Sequence, residues 1–192
     1  MSEIEKMVRE FTESRLSATR LEHVRRVVET IETVANARDL DVIQARTAAW
    51  LHDAAKEEKK GSFKDLVERG EIEIDDETFE TPKLWHGFHA AYWGRTKFAI
   101  DNEDLLEAVR YHPTGAPGMS DYGQALFIAD YCEPGREIPG TAEIVETAKS
   151  DLNAAALRVV EEKIRYVREN KGKEPHSRSI AYRKWLIDGQ SN

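Results

Sequence analysis

The sequence predicts an all-α helical bundle. Apolar residues recur three and four apart in nearly every long stretch, the period of a helix with one buried face. Capping and breaking residues punctuate those stretches. Only "EIEIDDETFETP" (71–82) alternates apolar and acidic residues in the manner of a strand, and it is short enough to read as a connecting loop.

The first clear helix is "TRLEHVRRVVETIETVANARDL" (19–40), where Leu21, Val24, Val27, Val28, Ile31 and Val34 share a face. Asp41 is placed to cap the next, "VIQARTAAWLHDAAK" (42–56), which runs out into the polar "KEEKKGS". A shorter amphipathic segment, "SFKDLVERG" (62–70), precedes the acidic loop. "KLWHGFHAAYWGRTKFAI" (83–100) reads as a helix despite two glycines. "DNEDLLEAVRYH" (101–112) is helical up to Pro113, because the residue before a proline is biased away from helical backbone. "PTGAPGMS" (113–120) is turn chemistry, and Ser120 is a natural cap for "DYGQALFIADYC" (121–132). After a loop marked by Pro134, Gly135, Pro139 and Gly140, the longest helix is expected from about Thr141 to Asn170, with Ile144, Leu152, Val159, Val160, Ile164 and Val167 inward. Gly172 and Pro175 stop it, and "SRSIAYRKWLI" (177–187) makes a terminal helix. No repeat, low-complexity tract or interdomain linker is visible. Residues 1–192 therefore read as a single domain, with a core of about 15–140 and a helical extension of about 141–192.

With 192 residues, 40% of them hydrophobic and 33% charged, the chain can bury a substantial core. A formal net charge of −8 argues against nucleic acid or an anionic membrane surface as partner, although a pocket of cations and metal acts locally. Cys132 is the one cysteine, which excludes an intramolecular disulfide framework and a cysteine-built zinc site. The N-terminal "MSEIEKMVREF" is charged and lacks the apolar core of a secretory signal, and no apolar run approaches a bilayer span. A cytoplasmic protein is expected.

Residues able to carry chemistry are few. Five of the six histidines fall between residues 23 and 112. His23 lies four before Val27 and shares its inward face; alone, it would pass for a hydrogen-bonded core histidine. His52 and Asp53 follow the apolar "AAWL", where a histidine capping helix carbonyls is the plainer reading. Asp130 interrupts "ALFIADYC", a run with little polar company, and an ionised carboxylate there must be paired or bind a cation. Pairing with Arg136 and metal binding are the two alternatives. Together, His23, His52, Asp53 and Asp130 offer imidazole nitrogen and carboxylate oxygen, a donor set that suits a divalent metal without any thiolate. Iron is the preferred ion, with manganese, cobalt or zinc as alternatives. His86 and His112 add imidazoles at a helix turn and a helix end, so two ions, or one ion with two substrate-facing histidines, satisfy the pattern.

"H…HD…D" on successive helices resembles the HD superfamily of metal-dependent phosphohydrolases. The segments "RLEHVRRV", "AWLHDAAKE", "LWHGFHAAY", "AVRYHPTGAPGMS" and "ALFIADYCEPGREIPG" narrow the resemblance to the YqeK-type symmetrical bis(5'-nucleosyl)-tetraphosphatases. It covers roughly Arg20 through Gly140, with a weaker continuation in "EPHSRSIAY", and "YHPTG" with "IADYCEPGR" is more discriminating than the His-Asp pair. The resemblance implies an HD-type bundle with a metal site between helices. His23, His52, Asp53 and Asp130 match the family's ligands, and Arg20, Lys56, His86, His112 and Arg136 match positions around the nucleotide phosphates. His52 and Asp53 diverge by about 100° on a helix, so both reach one ion only if the helix ends there. Several positions depart from the family. Pro113 replaces the usual threonine, Phe88 and His89 follow the "HG" where proline and a small apolar residue are usual, and Arg183 replaces an asparagine. Pro113 removes a backbone donor, so phosphate binding at this loop is expected to lean on His112 and the Thr114 N–H, with Gly115 and Gly118 permitting close approach.

What the resemblance implies is symmetrical hydrolysis of diadenosine tetraphosphate to two ADP. The rivals are another HD phosphohydrolase acting on a different nucleotide, a catalytically silent metal- or nucleotide-binding sensor, and a plain helical interaction domain. The expected partner is a small-molecule nucleotide, with no nucleic acid and no membrane; a homodimer is compatible with the reading.

Overall fold

In the computed structural model, which describes residues 2–189, the chain is helical and has no strand among those residues. The helices are α1 (Glu3–Glu13), α2 (Ala18–Ala37), α3 (Val42–Leu51), α4 (Lys60–Glu68), the single turn α5 (Asp76–Phe79), α6 (Trp85–Phe98), α7 (Glu103–Tyr111) and α8 (Asp121–Cys132). A 3₁₀ turn (Pro134–Arg136) leads to α9 (Thr141–Ala148), α10 (Leu152–Lys171) and α11 (Ser177–Gly189).

The interior is organised by α8. Ala125, Leu126, Phe127, Ile128 and Ala129 are all fully buried, so this helix is apolar on every side and must be enclosed. α2, α7 and α10 pack along it, with α3 and α9 completing the shell. The expected caps are in place. Asp41 accepts from the Ile43 and Gln44 amides, and Ser120 accepts from the Gly123 amide. Residues 71–82 form a loop carrying only α5, as their shortness suggests. A smaller apolar cluster of Phe63, Leu66, Ile72, Trp85 and Phe88 sits between α4 and the start of α6.

Two features depart from the sequence expectation. First, α1 stands where no helix was expected, although Ile4, Met7, Val8 and Phe11 recur three and four apart; Ile4 and Met7 stay exposed, and the fully buried positions are Glu5, Val8 and Thr12. Those polar groups are paired: Arg46 meets Glu5 at 2.8 Å, and the Thr12 hydroxyl donates to the Trp50 carbonyl at 3.0 Å. Second, the single long helix expected from Thr141 to Asn170 is divided at 149–151. No glycine or proline breaks it. Asp151 instead accepts from the Ala154 amide and starts a new helix, while Arg38, the residue after α2, donates to the freed Ser150 carbonyl at 2.7 Å.

α11 returns across the body of the protein. Tyr182 and Leu186 face inward, and Ser179 donates to the Thr114 carbonyl at 2.9 Å. Further along, Arg178 bonds Asp75 and Thr78, and Ser177 bonds Glu77. The last helix thus ties the α5 segment and the 113–116 loop together. None of the described helices is long and apolar enough to cross a membrane.

Candidate metal centre

The structure brings His23, His52, Asp53 and Asp130 to one place, with His86 and His112 beside them. All six are buried. Each arrives by a distinct local device. His23 is carried on the inward face of α2, one residue before the fully buried Val24. His52 is the residue after α3, and the helix gives way there to a run of turns through Glu57. The adjacent His52 and Asp53 therefore need not follow helical directions, and both reach the same cluster. His112 occupies the same position after α7 as His52 does after α3. His86 lies in the first turn of α6, pressed against the end of α7. A Cβ on Gly87 would stand 2.7 Å from the Arg110 carbonyl oxygen, so glycine is what lets the two helices approach. Asp130 closes the apolar run of α8.

Asp53 is the hub. Its Oδ2 lies 3.1 Å from Arg20 Nη1, 3.7 Å from His23 Nε2 and 3.9 Å from His52 Nε2. Its Oδ1 faces His86 Nε2 at 3.2 Å, Lys56 Nζ at 3.5 Å and His112 Nε2 at 3.7 Å. Asp130 Oδ1 is 3.2 Å from His23 Nε2 and 2.6 Å from Arg136 Nη2. The two alternatives for Asp130, ion pair and cluster member, coexist in one geometry.

Burial works to raise both aspartates. The imidazoles of His52, His112 and His86 more than offset it at Asp53, and Arg136 and His23 do so at Asp130, so both carboxyls lie well below the usual carboxylate range. Burial lowers His52 to about 3 and His86 to about 4. His23 moves the other way. Burial lowers it, but Asp130, Glu133 and Asp53 together raise it above its ordinary value.

These groups fit a divalent ion. His52 Nδ1 donates to the Ala49 carbonyl at 2.6 Å and His112 Nδ1 to the Val109 carbonyl at 2.7 Å, which fixes each neutral ring with its lone pair on Nε2. Both lone pairs point at carboxylates and other imidazoles. His23 Nε2, His52 Nε2 and Asp53 Oδ1 are buried without a hydrogen-bond partner. Donor atoms of His23, His52 and Asp130 lie within 4.8 Å of one another, as do those of His52, Asp53 and His112. Converging lone pairs and anionic oxygens in a dry site call for a cation, and mixed nitrogen and oxygen donors suit a divalent metal.

The sequence reading overlooked Glu133. It is 2% exposed, accepts from His23 Nδ1 at 3.1 Å and meets Arg26 Nε at 2.5 Å. It thereby orients His23 and directs its Nε2 inward, the part an outer carboxylate plays for a metal-bound histidine. Its place directly after a buried apolar run was the available signal. Glu133→Gln is expected to weaken metal affinity by roughly 10- to 100-fold, read by competition with a chromogenic chelator; unchanged affinity would remove this role.

Other expected positions divide. Arg20, Lys56 and Arg136 form a cationic rim on the carboxylates, and Lys56 Nζ is also 3.1 Å from His86 Nε2. Thr114 does not present its amide to the cleft: that N–H caps α7 through the Tyr111 carbonyl, and the buried hydroxyl donates to the Gly115 carbonyl. Gly115 is occupied too, since it packs on Tyr182. Phe88 and His89 are core residues, against Tyr111 and Trp93 respectively, and Arg183 pairs with Glu161 on the surface.

The buried histidines set an acid limit on stability. Unfolded, each takes up a proton near 6.5; folded, His52, His86 and the core residue His89 stay neutral down to about 3, 4 and 4. Between those values the unfolded chain binds more protons, so this stability is present above pH 6.5 and lost as the pH falls. His23 contributes in the opposite sense, holding its proton when folded, and is outnumbered. The metal-free protein is expected to melt several degrees lower at pH 5 than at pH 7. A higher melting temperature at pH 5 would contradict the assignment.

Comparison with known proteins agrees with this geometry. The HD domain family matches residues 20–135. The symmetrical bis(5'-nucleosyl)-tetraphosphatase of Halalkalibacterium halodurans is 37% identical over 142 residues, 74% of this chain and 75% of that protein. The protein of the same name from Bacillus subtilis is 30% identical over 177 residues, covering 91% and 92%. A crystal structure from Clostridium acetobutylicum, described as a predicted HD superfamily hydrolase involved in NAD metabolism, superposes with a TM-score of 0.87 at 32% identity, covering 96% of this chain and 97% of that one. The chain belongs to the HD-domain family, in the branch of the symmetrical bis(5'-nucleosyl)-tetraphosphatases.

Proposed function

We propose that the chain hydrolyses diadenosine tetraphosphate symmetrically to two ADP, with His23, His52, Asp53 and Asp130 holding a divalent ion. The observation that carries this reading is the two-sided environment of Asp53. One carboxylate oxygen faces His23, His52 and Arg20, and the other faces His86, His112 and Lys56. A polyphosphate needs anion-binding groups along a line, and the centre offers cations on both sides of one carboxylate.

In the reaction, a water oxygen bonds to one of the two central phosphorus atoms and its proton is given up to solvent. The bond from that phosphorus to the central bridging oxygen breaks, and the bridging oxygen leaves with the second ADP. A bound divalent ion supplies Lewis acidity, lowering the pKa of water and polarising a phosphoryl oxygen. The protein's own groups do the rest. Arg20, Lys56 and Arg136 offset the charge that builds on the phosphoryl oxygens. Burial of the cluster excludes bulk water and strengthens each of these contacts.

Iron is the ion we assign, on the strength of the mixed imidazole and carboxylate donors. The paired Nε2 atoms of His86 and His112, 3.1 Å apart, support room for a second ion on the Oδ1 side. A cytoplasmic location and a homodimer complete the reading. The test is product analysis with diadenosine tetraphosphate and iron, manganese or cobalt supplied: ADP alone supports the proposal, whereas ATP with AMP, or no turnover, overturns it. His112→Ala should abolish most turnover while one ion per chain remains bound. Loss of all metal in that variant would move His112 into the first site.

A further inference from the structure

Two cavities open on the centre from its two ends. The first, of about 410 Å³, has Lys56, Lys59, Lys60, Lys83, Trp85 and His86 in its wall, and Lys56 and His86 lie against Asp53 Oδ1. The second, of about 680 Å³, is lined by Asp130, Tyr131, Arg136, Lys163 and Tyr166 among others, and its Asp130 faces His23 on the other side of the centre. Both volumes suit small organic ligands. Each cavity combines cations with an aromatic wall, Trp85 stacked on Phe63 in the first and Tyr166, 53% exposed, in the second.

Lys163 has no part in the reaction described above. α10 carries it half-buried into the second cavity, with its Nζ 4.5 Å from the centre of the Phe127 ring. No carboxylate pairs with it among the described residues, because its neighbours are engaged: Asp130 with Arg136, and Glu162 with Arg165. Burial lowers its pKa to about 8 against the pull of Asp130, which leaves it cationic at neutral pH. A half-buried ammonium without a counter-ion is costly, and an anionic ligand removes that cost. Lys59, Lys60 and Lys83 in the first cavity also form no ion pair among the described residues.

The geometry points to a substrate lying across the centre with one nucleoside diphosphate half in each cavity, Lys163 and Tyr166 binding the phosphate and base of one half and Lys59, Lys60 and Lys83 binding the phosphates of the other. This rests on the proposed reaction and deepens it. With one arm beside Asp53 and the other beside Asp130, the phosphates that join them cross the cluster, where cleavage between the two halves would occur.

The test uses the metal-loaded protein. Lys163→Met, which keeps length and removes charge, is expected to raise KM for diadenosine tetraphosphate about tenfold or more, and Lys163→Arg to restore most of it. Both should keep the wild-type metal content. Tyr166→Ala, at an exposed position, should raise KM without risk to the core. Calorimetric titration with ADP should give two sites per wild-type chain and one in Lys163→Met. A single ADP site or none in the wild type, or an unchanged KM in Lys163→Met and Tyr166→Ala, overturns the assignment. If the wild type makes no ADP at all, the proposed reaction itself fails, and that result is read before any variant is made.

Discussion

Asp53→Ala is expected to lower turnover of diadenosine tetraphosphate by on the order of a thousandfold and to empty the centre of its ion in the same step. Few single changes remove as much. The two carboxylate oxygens face the two sides of the cluster, and the residue is 2% exposed. Without it, Arg20 and Lys56 face buried imidazoles with no anion between them, so the substitution also leaves uncompensated charge. Metal content by mass spectrometry and kcat should fall together. Asp53→Asn keeps the volume and should fail in the same way, because the charge is what the site lacks. Full metal occupancy with wild-type turnover in either variant would contradict the role given to this residue.

Gly115→Ala is expected to cost about 2–4 kcal/mol of stability, from left-handed strain and overpacking together. The residue has φ +69°, and a Cβ there would stand 2.1 Å from Tyr182 Cδ1. Tyr182 is fully buried and cannot retreat without opening the contact between α11 and the body. Gly118→Ala is the control. Its φ is +80°, but nothing lies within 4 Å of a Cβ at that position, so only the backbone penalty of about 1–2 kcal/mol applies. Denaturant unfolding should rank the pair with Gly115→Ala clearly the less stable. Equal losses would mean that the Tyr182 contact contributes nothing.

Helices α2, α3, α4, α6, α7, α8 and α11 were legible because their buried faces are apolar and the ends of several carry Asp41, Ser120 and Pro113. α1 carries the same period in Ile4, Met7, Val8 and Phe11 and went unread; half of that stripe is exposed, and the buried Glu5 and Thr12 become sensible only when Arg46 and the Trp50 carbonyl arrive from α3. The break between α9 and α10 depends equally on a distant residue, Arg38. In the centre, the clustering of His23, His52, Asp53 and Asp130 could be read from donor chemistry, because a carboxylate amid "ALFIADYC" has few affordable explanations. Glu133 and Lys163 could not be read that way. Glu133 had only its place after an apolar run to mark it, Lys163 sits beside the charged Glu161 and Glu162, and the burial of both is a tertiary fact. The Thr114 amide illustrates the reverse error. A loop that looks made for phosphate has its donors committed to ending α7 and seating Tyr182.

The way α11 ties down the 113–116 loop has a consequence for the order in which the protein matures. On the ribosome, the donors His23, His52, Asp53 and Asp130 and both outer histidines emerge before any residue of α11. A nascent chain paused after α9 holds every donor, yet the loop following His112 lacks the Ser179 hydrogen bond and the Tyr182 ring that fix it. The loop beside His112 therefore reaches its final form only when residues 177–182, among the last to be made, fold back onto it.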